Sequence, residues 1–299
     1  MSRLTANLLL LLAALIWGAA FVAQSTAMRH LGPYAFVGVR FGLSALVVLP
    51  FAMREWRRLA LKPDRATYIY MALTAVTFFL GSILQQVAMK STSVTNAGFL
   101  TGLYVVMAPF LTWLILRKLP HFIIWPASLL SLAGTWLLGE GSAGSLTFGD
   151  YLVIASALFW ALQIIFLGLA AIRSAAPVSI VFVQFLFTAI VSLAICFLAE
   201  PLSWPAVRAA GFELLYAGVI SGGIGFTLQA LGQRHTPPAD AAVILSAESL
   251  FAAIAGGLLL GERLDLAGWF GCAMILTAVM AVQLAPLLRR RPLIMETGT

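Results

Sequence analysis

Charge is what this sequence has least of: only 10% of its 299 residues are Asp, Glu, Lys or Arg. Soluble domains carry about 25%, so a water-soluble fold of this length is excluded. Cysteine is nearly absent. Cys196 and Cys272 both lie inside apolar runs, which leaves no disulfide framework and no metal-ligand spacing. The three histidines, His30, His121 and His235, fall at the ends of apolar runs. No His-Glu-x-x-His pair, paired-aspartate motif, Walker loop or serine–histidine arrangement lies within those runs. The sequence therefore predicts neither an enzyme nor an ATP-driven pump, and it predicts no cofactor and no bound metal.

What fills the chain is apolar: 62% of residues are hydrophobic and the mean hydropathy is +1.00. Ten apolar stretches can be read, at about 7–27, 34–53, 67–89, 93–116, 122–139, 151–172, 177–199, 211–232, 238–260 and 266–287. Each is near the length needed to cross a bilayer as a helix. The expected fold is an all-α integral membrane protein of ten transmembrane helices. The first stretch has features of a signal peptide, with Arg3 before an apolar core and small residues from Ala23 to Ala27. Its counterpart in the second half of the chain argues for a retained span instead.

The net charge of +7 gains meaning once it is located. One set of span ends holds 13 Lys and Arg residues, the opposite set holds 4, and Arg40 lies within a span. Positive residues stay cytoplasmic, so both termini are expected inside the cell. The basic charge is then topological, and nucleic acid is not an expected partner. The chain is expected in the cell inner (plasma) membrane as a multi-pass protein.

The two halves repeat. Ala14-Leu15-Ile16-Trp17 recurs as Ala157-Leu158-Phe159-Trp160, and Gly32-Pro33 matches Ala176-Pro177. Gly81, Leu84, Gln85 and Lys90 are answered by Gly225, Leu228, Gln229 and Arg234, and Arg40 stands in register with Gln184. The offset drifts from 143 to 145 along the chain. The units are drawn at 7–139 and 151–287. Five spans per unit is an odd number, so the second unit enters the membrane inverted. Inverted repeats allow alternating access around a midplane site.

Glu248 lies about ten residues into the ninth stretch, near mid-bilayer, where a carboxylate costs about 2.5–3.5 kcal/mol or more. It reads as a cavity-facing group for a cationic moiety or a proton, or as a carboxyl hydrogen-bonded between helices. Arg40 lies about 9 Å of helix rise from the outer end of the second span, within snorkelling reach of the surface. It reads as structural or gating, together with Gln184. Trp17 and Trp160 occupy equivalent depths and wall a cavity or pack against lipid. The amides Gln24, Gln85, Gln86, Gln163, Gln229 and Gln233 are unusually many for membrane helices, as a wet path would need. Tyr104, Asn96 and Ser246 extend that polar set. The spacings Gly38-x-x-x-Gly42, Gly218-x-x-x-Gly222 and Gly257-x-x-x-Gly261 read as close helix packing. The glycine-rich run Ser221 to Phe226 reads as a loosening of the eighth span.

These residues resemble the drug/metabolite transporter superfamily, in its EamA-type ten-helix branch. The resemblance rests on Ala14-Leu15-Ile16-Trp17-Gly18, on Arg40, on Glu248 and on the Gly261-Glu262-Arg263-Leu264 turn, and it spans nearly the whole chain. Two departures stand out. Members often have Glu-Pro where this chain has Glu248-Ser249, and Arg117-Lys118 stands where Gly-Glu-Arg is expected. The missing proline argues against kink-based gating by the ninth span. The resemblance implies a central cavity lined by the first, third, fourth, sixth, eighth and ninth helices, which excludes Arg40. It implies a secondary transporter exporting amino acids or related small metabolites, with a small-molecule substrate and the lipid bilayer as partners. A multidrug exporter of lipophilic cations is the second reading. A non-transporting membrane scaffold is the third, and the polar interior argues against it. Assembly as a homo-oligomer is left open by the sequence.

Overall fold

The computed structural model describes residues 1–59, 62–92, 94–138, 146–260 and 265–288. Among these residues every regular element is helical, and nine helices are long and apolar enough to cross a membrane. The first three spans are Arg3–Ala27, Pro33–Arg57 and Arg65–Ala88. The fourth is split into Val94–Thr101 and Tyr104–Leu116, and the fifth, Ile124–Leu138, is shorter at 15 residues. The sixth and seventh are Phe148–Arg173 and Pro177–Ala199. The eighth, Gly211–Gln233, and a split ninth, Pro238–Leu245 with Glu248–Leu260, lead to the tenth, Leu266–Leu288.

Helix starts follow their local sequence. Pro33 and Pro177 open the second and seventh spans, where a missing N–H costs nothing. Asp64 caps the third, accepting from Thr67 N at 2.9 Å. Thr147 and Asp150 form a capping box at the sixth. The Thr67 hydrogen bonds, followed by the Arg173 guanidinium, hold the Asp64 carboxyl well below the usual carboxylate range.

Packing obeys the repeat. The second span lies along the seventh, and the fifth along the tenth. The third packs on the sixth as the eighth packs on the first, and the fourth meets the sixth as the ninth meets the first. Glycines make the close approaches. A methyl on Gly134 would stand 2.6 Å from the Gly271 carbonyl, so the fifth and tenth backbones touch. Gly38 faces Leu193 of the seventh span, and Gly218 and Gly222 of the eighth face Leu43 and Ser44 of the second. Both motifs serve packing as expected. The third motif reaches Gly261, and with the Gly261–Leu264 turn it lies outside the described residues.

Two helices are irregular, the eighth where its glycine-rich run predicts a loosening. The eighth runs as a π-helix from Tyr216 to Phe226, far longer than a single-turn bulge. Foreign donors hold its carbonyls: Ser44 Oγ bonds Gly218 O at 2.7 Å, and Trp17 Nε1 bonds Ser221 O at 3.1 Å. The ninth breaks at Ser246-Ala247 although no proline follows Glu248. Ser246 Oγ turns back to Val243 O at 2.6 Å, and Ala247 N closes a tighter turn onto Ile244 O. Serine back-bonding of this kind bends a helix, so the span breaks without the proline. The fourth span breaks at the matching place. Each consists of an eight-residue and a thirteen-residue helix at a constant offset of 144, one less than the 145 read from sequence.

Two carboxylates tie the second and seventh spans at opposite ends. Glu55 accepts from Ser179 N at 2.7 Å, Ser179 Oγ at 2.9 Å and Val178 N at 3.3 Å. Glu200 accepts from Ala35 N at 2.9 Å. Each repeat thus caps the other repeat's helix.

Candidate functional site: a central polar cavity

A cavity of about 60 Å³ lies between the two repeats. That is room for a handful of water molecules, well short of the ~300 Å³ at the small end of drug-sized sites. Seven residues expected at the site line it together: Trp17, Gln85, Tyr104, Trp160, Gln163, Gln229 and Glu248. Two others do not. Ser246 is buried against Ser131 Oγ at 2.6 Å and ties the ninth span to the fifth. Asn96 belongs to the helix Val94–Thr101, but its side chain lies outside the described residues.

Arg40 departs most from expectation. It does not snorkel: it is 4% exposed and lines the same cavity. Its Nη1 donates to Gln24 Oε1 at 2.9 Å, and its guanidinium carbon sits 4.4 Å from the Phe41 ring centroid. A first-span amide and an aromatic face thus give the cation local partners that the lipid side would not, and the second helix contributes to the cavity after all.

The glutamines divide into two groups. Gln163 and Gln229 exchange hydrogen bonds at 3.2 and 3.5 Å, and Gln163 Nε2 also reaches Gln184 Oε1 at 3.3 Å. Gln184 is therefore one bond behind the cavity wall, where it positions Gln163. Gln85 donates to Thr101 Oγ1 at 2.8 Å. Gln24 lines the cavity as well. Gln233 instead bonds Ile164 O at 2.8 Å, and Gln86 reaches Gln24 O at 3.4 Å, so both act between helices.

The tryptophans exchange partners across the repeat. Trp17 packs over Gly225 and Trp160 over Gly81, with the nearest atoms 2.6 and 3.1 Å from where a Cβ would stand. Phe226 lies between them, 4.4 Å from Trp17 and 6.1 Å from Trp160 by ring centroid. Sequence reasoning missed Phe226, Thr101 and Ser221. Phe226 could have been found at i−3 from Gln229, on the same helix face.

Several polar atoms at this cavity lack partners. Trp160 Nε1, Tyr104 Oη and Arg40 Nε are buried without a hydrogen bond. Tyr104 faces the Glu248 carboxylate across the cavity. No ion pair joins Glu248 to Arg40; among the described residues the ion pairs are Arg3–Asp240 and Arg173–Asp64. Buried groups of this kind cost free energy unless something satisfies them.

A multi-pass helical bundle folded on an internal repeat, with an acid and a base facing one small central cavity, has the build of a membrane transporter. The comparisons give its family. The chain matches the EamA-like transporter family over residues 4–139 and again over 147–284, and it belongs to that family. It is 32% identical over 290 residues to an "Uncharacterized transporter" of Archaeoglobus fulgidus, covering 94% of this chain and 87% of that one. It is 26% identical over 297 residues to "Uncharacterized transporter YwfM" of Bacillus subtilis, covering 94% of each. A crystal structure at 19% identity superposes with a TM-score of 0.79, over 96% of this chain and all of that one, which bears on the fold alone.

Proposed function

We propose that this EamA-type transporter exports amino acids or closely related zwitterionic metabolites by alternating access between the units 7–139 and 151–287. One observation carries the substrate reading: Glu248 and Arg40 line one cavity without pairing with each other. Opposite buried charges kept apart suit a solute that brings both charges itself. An ammonium group would sit at Glu248 and Tyr104, and a carboxylate would accept from Arg40 and Trp160 Nε1. Binding then satisfies groups that are otherwise buried and unpartnered, which favours the loaded state. The small cavity supports a cycle in which the helices move apart to admit the solute. The reciprocal packing of the repeats supports an exchange between two such openings.

The distribution of basic residues supports cytoplasmic termini for a protein of the cell inner membrane. Reporter fusions at either end test this, and a periplasmic signal from the C-terminus would contradict it. A lipophilic-cation exporter has the Trp17–Phe226–Trp160 wall and Glu248 in its favour. Arg40 in the same cavity opposes a lone cation. Metabolite profiling of medium from deletion and overexpressing strains separates the two readings. Amino acids enriched outside overexpressing cells support the proposal. An unchanged amino-acid profile with altered tolerance to quaternary ammonium dyes would favour the second reading.

A further inference from the structure

A second cavity, of about 310 Å³, lies away from the central one, where the first and ninth spans begin and the connection from the fourth to the fifth crosses. Its charged and polar side chains are Arg3, Thr112, Lys118, His121 and Asp240, and the Thr112 hydroxyl is buried without a partner. Arg3 pairs through Nη2 with Asp240, while its Nε is buried and unpartnered. His121 Nδ1 accepts from Ile123 N at 3.4 Å, which leaves Nε2 as the ring's donor. Lys118 follows Arg117, whose left-handed backbone (φ 53°) ends the fourth span and turns the chain over this site. Two fixed cations stand against one carboxylate here, apart from the central cavity.

The walls are apolar. Leu116, Leu119, Ile123 and Val282 line the cavity. Leu119 and the adjacent Phe122 are exposed, 72% and 74%, so the apolar surface runs from the cavity out to the lipid-facing side. Helix ends mark this level as the edge of the membrane-crossing bundle. A soluble anion would need the basic groups but not this apolar mouth.

We propose that this cavity binds the phosphate of an anionic phospholipid headgroup, with Arg3, Lys118 and His121 donating to it and an acyl chain lying along Leu119 and Phe122. Basic pockets between helix ends suit such headgroups. The site is independent of the proposed substrate and its cavity.

The full-length protein, purified in detergent and equilibrated with mixed phosphatidylglycerol and phosphatidylcholine, tests this by native mass spectrometry. Phosphatidylglycerol is expected to be retained in preference. Arg3→Gln and Lys118→Gln should each weaken retention by about fivefold. Asp240→Asn, which frees Arg3, should strengthen it. If the Arg3 variant misfolds, the exposed Lys118 and the Asp240 variant still read the site in opposite directions. Equal retention of both lipids, or retention unchanged in these variants, would overturn the proposal. So would thermal stabilisation by inorganic phosphate alone equal to that by phosphatidylglycerol, which would assign the site to a free anion.

Discussion

The fourth and ninth spans break at matching places, yet the half-helices beyond the two breaks open on different residues. In the first repeat the second half-helix starts with Tyr104, and in the second repeat it starts with Glu248. The second and seventh spans make the same contrast with Arg40 and Gln184. The backbone plan is duplicated, while each ionisable group of the central cavity appears in one copy only. Packing residues kept their symmetry because both copies must pack the same way: Gly81 under Trp160, Gly225 under Trp17. On the proposed reading the charged residues meet one asymmetric solute in one shared cavity, and a second copy of each would add an unpaired charge there.

The largest difference between the repeats is expected at the glycines. Gly225→Leu drives a side chain into Trp17, and overpacking costs about 1–3 kcal/mol or more. Its effect on thermal stability in detergent should exceed that of Gly81→Leu, where the clearance to Trp160 is 0.5 Å greater. Equal losses would show that the two seats are equivalent after relaxation. Next are the reciprocal caps. Glu55→Ala removes three hydrogen bonds and Glu200→Ala removes one, so the first should cost about 1–2 kcal/mol and the second less. The reverse order in unfolding midpoints would contradict the bond inventory.

The tryptophans sharpen the contrast. Trp17→Phe loses the bond to Ser221 O and should cost about 1 kcal/mol. Trp160→Phe loses no bond in the protein, so stability should hold while substrate affinity falls. A stability loss at Trp160 matching that at Trp17 would mark both as packing residues. The smallest effect is at the Asp64–Arg173 tie, which is exposed. Asp64→Asn should leave transport unchanged at neutral pH. Because its folded-state carboxyl is held low, the tie's contribution is complete above about pH 4 and fades only as the pH falls through that lowered value. Parent and variant thermal midpoints should therefore converge in acid and not before.

Span positions were legible because hydropathy and length are one-dimensional properties. So was the repeat, and so were seven of the cavity residues, because a polar side chain at mid-depth has few places to go except inward. Arg40 was misplaced because depth along a helix says nothing about which wall the side chain faces. A usable signal was present: Gln24 and Arg40 are mirrored about Gly32 at the turn between the first two spans. Gln85 with Thr101, and Gln163 with Gln184, are mirrored in the same way about the third-to-fourth and sixth-to-seventh connections. Each pair is hydrogen-bonded. Antiparallel neighbours joined by a short connection bring such residues to equal depth. The break at Ser246-Ala247 was illegible because a serine bends a helix only when its hydroxyl turns back to the backbone.

On the proposed reading Glu248 and Arg40 receive opposite ends of one solute. Counterflow into proteoliposomes, run with a labelled amino acid against its amine-lacking and carboxylate-lacking analogues, tests it most directly. The parent should prefer the zwitterion to both analogues. Glu248→Gln, which keeps shape but removes charge, should lose most transport of the amino acid and its preference over the amine-lacking analogue. Arg40→Gln should lose the preference over the carboxylate-lacking one. Parental rates and selectivity in both variants across pH 6 to 8, with normal insertion, would contradict the account.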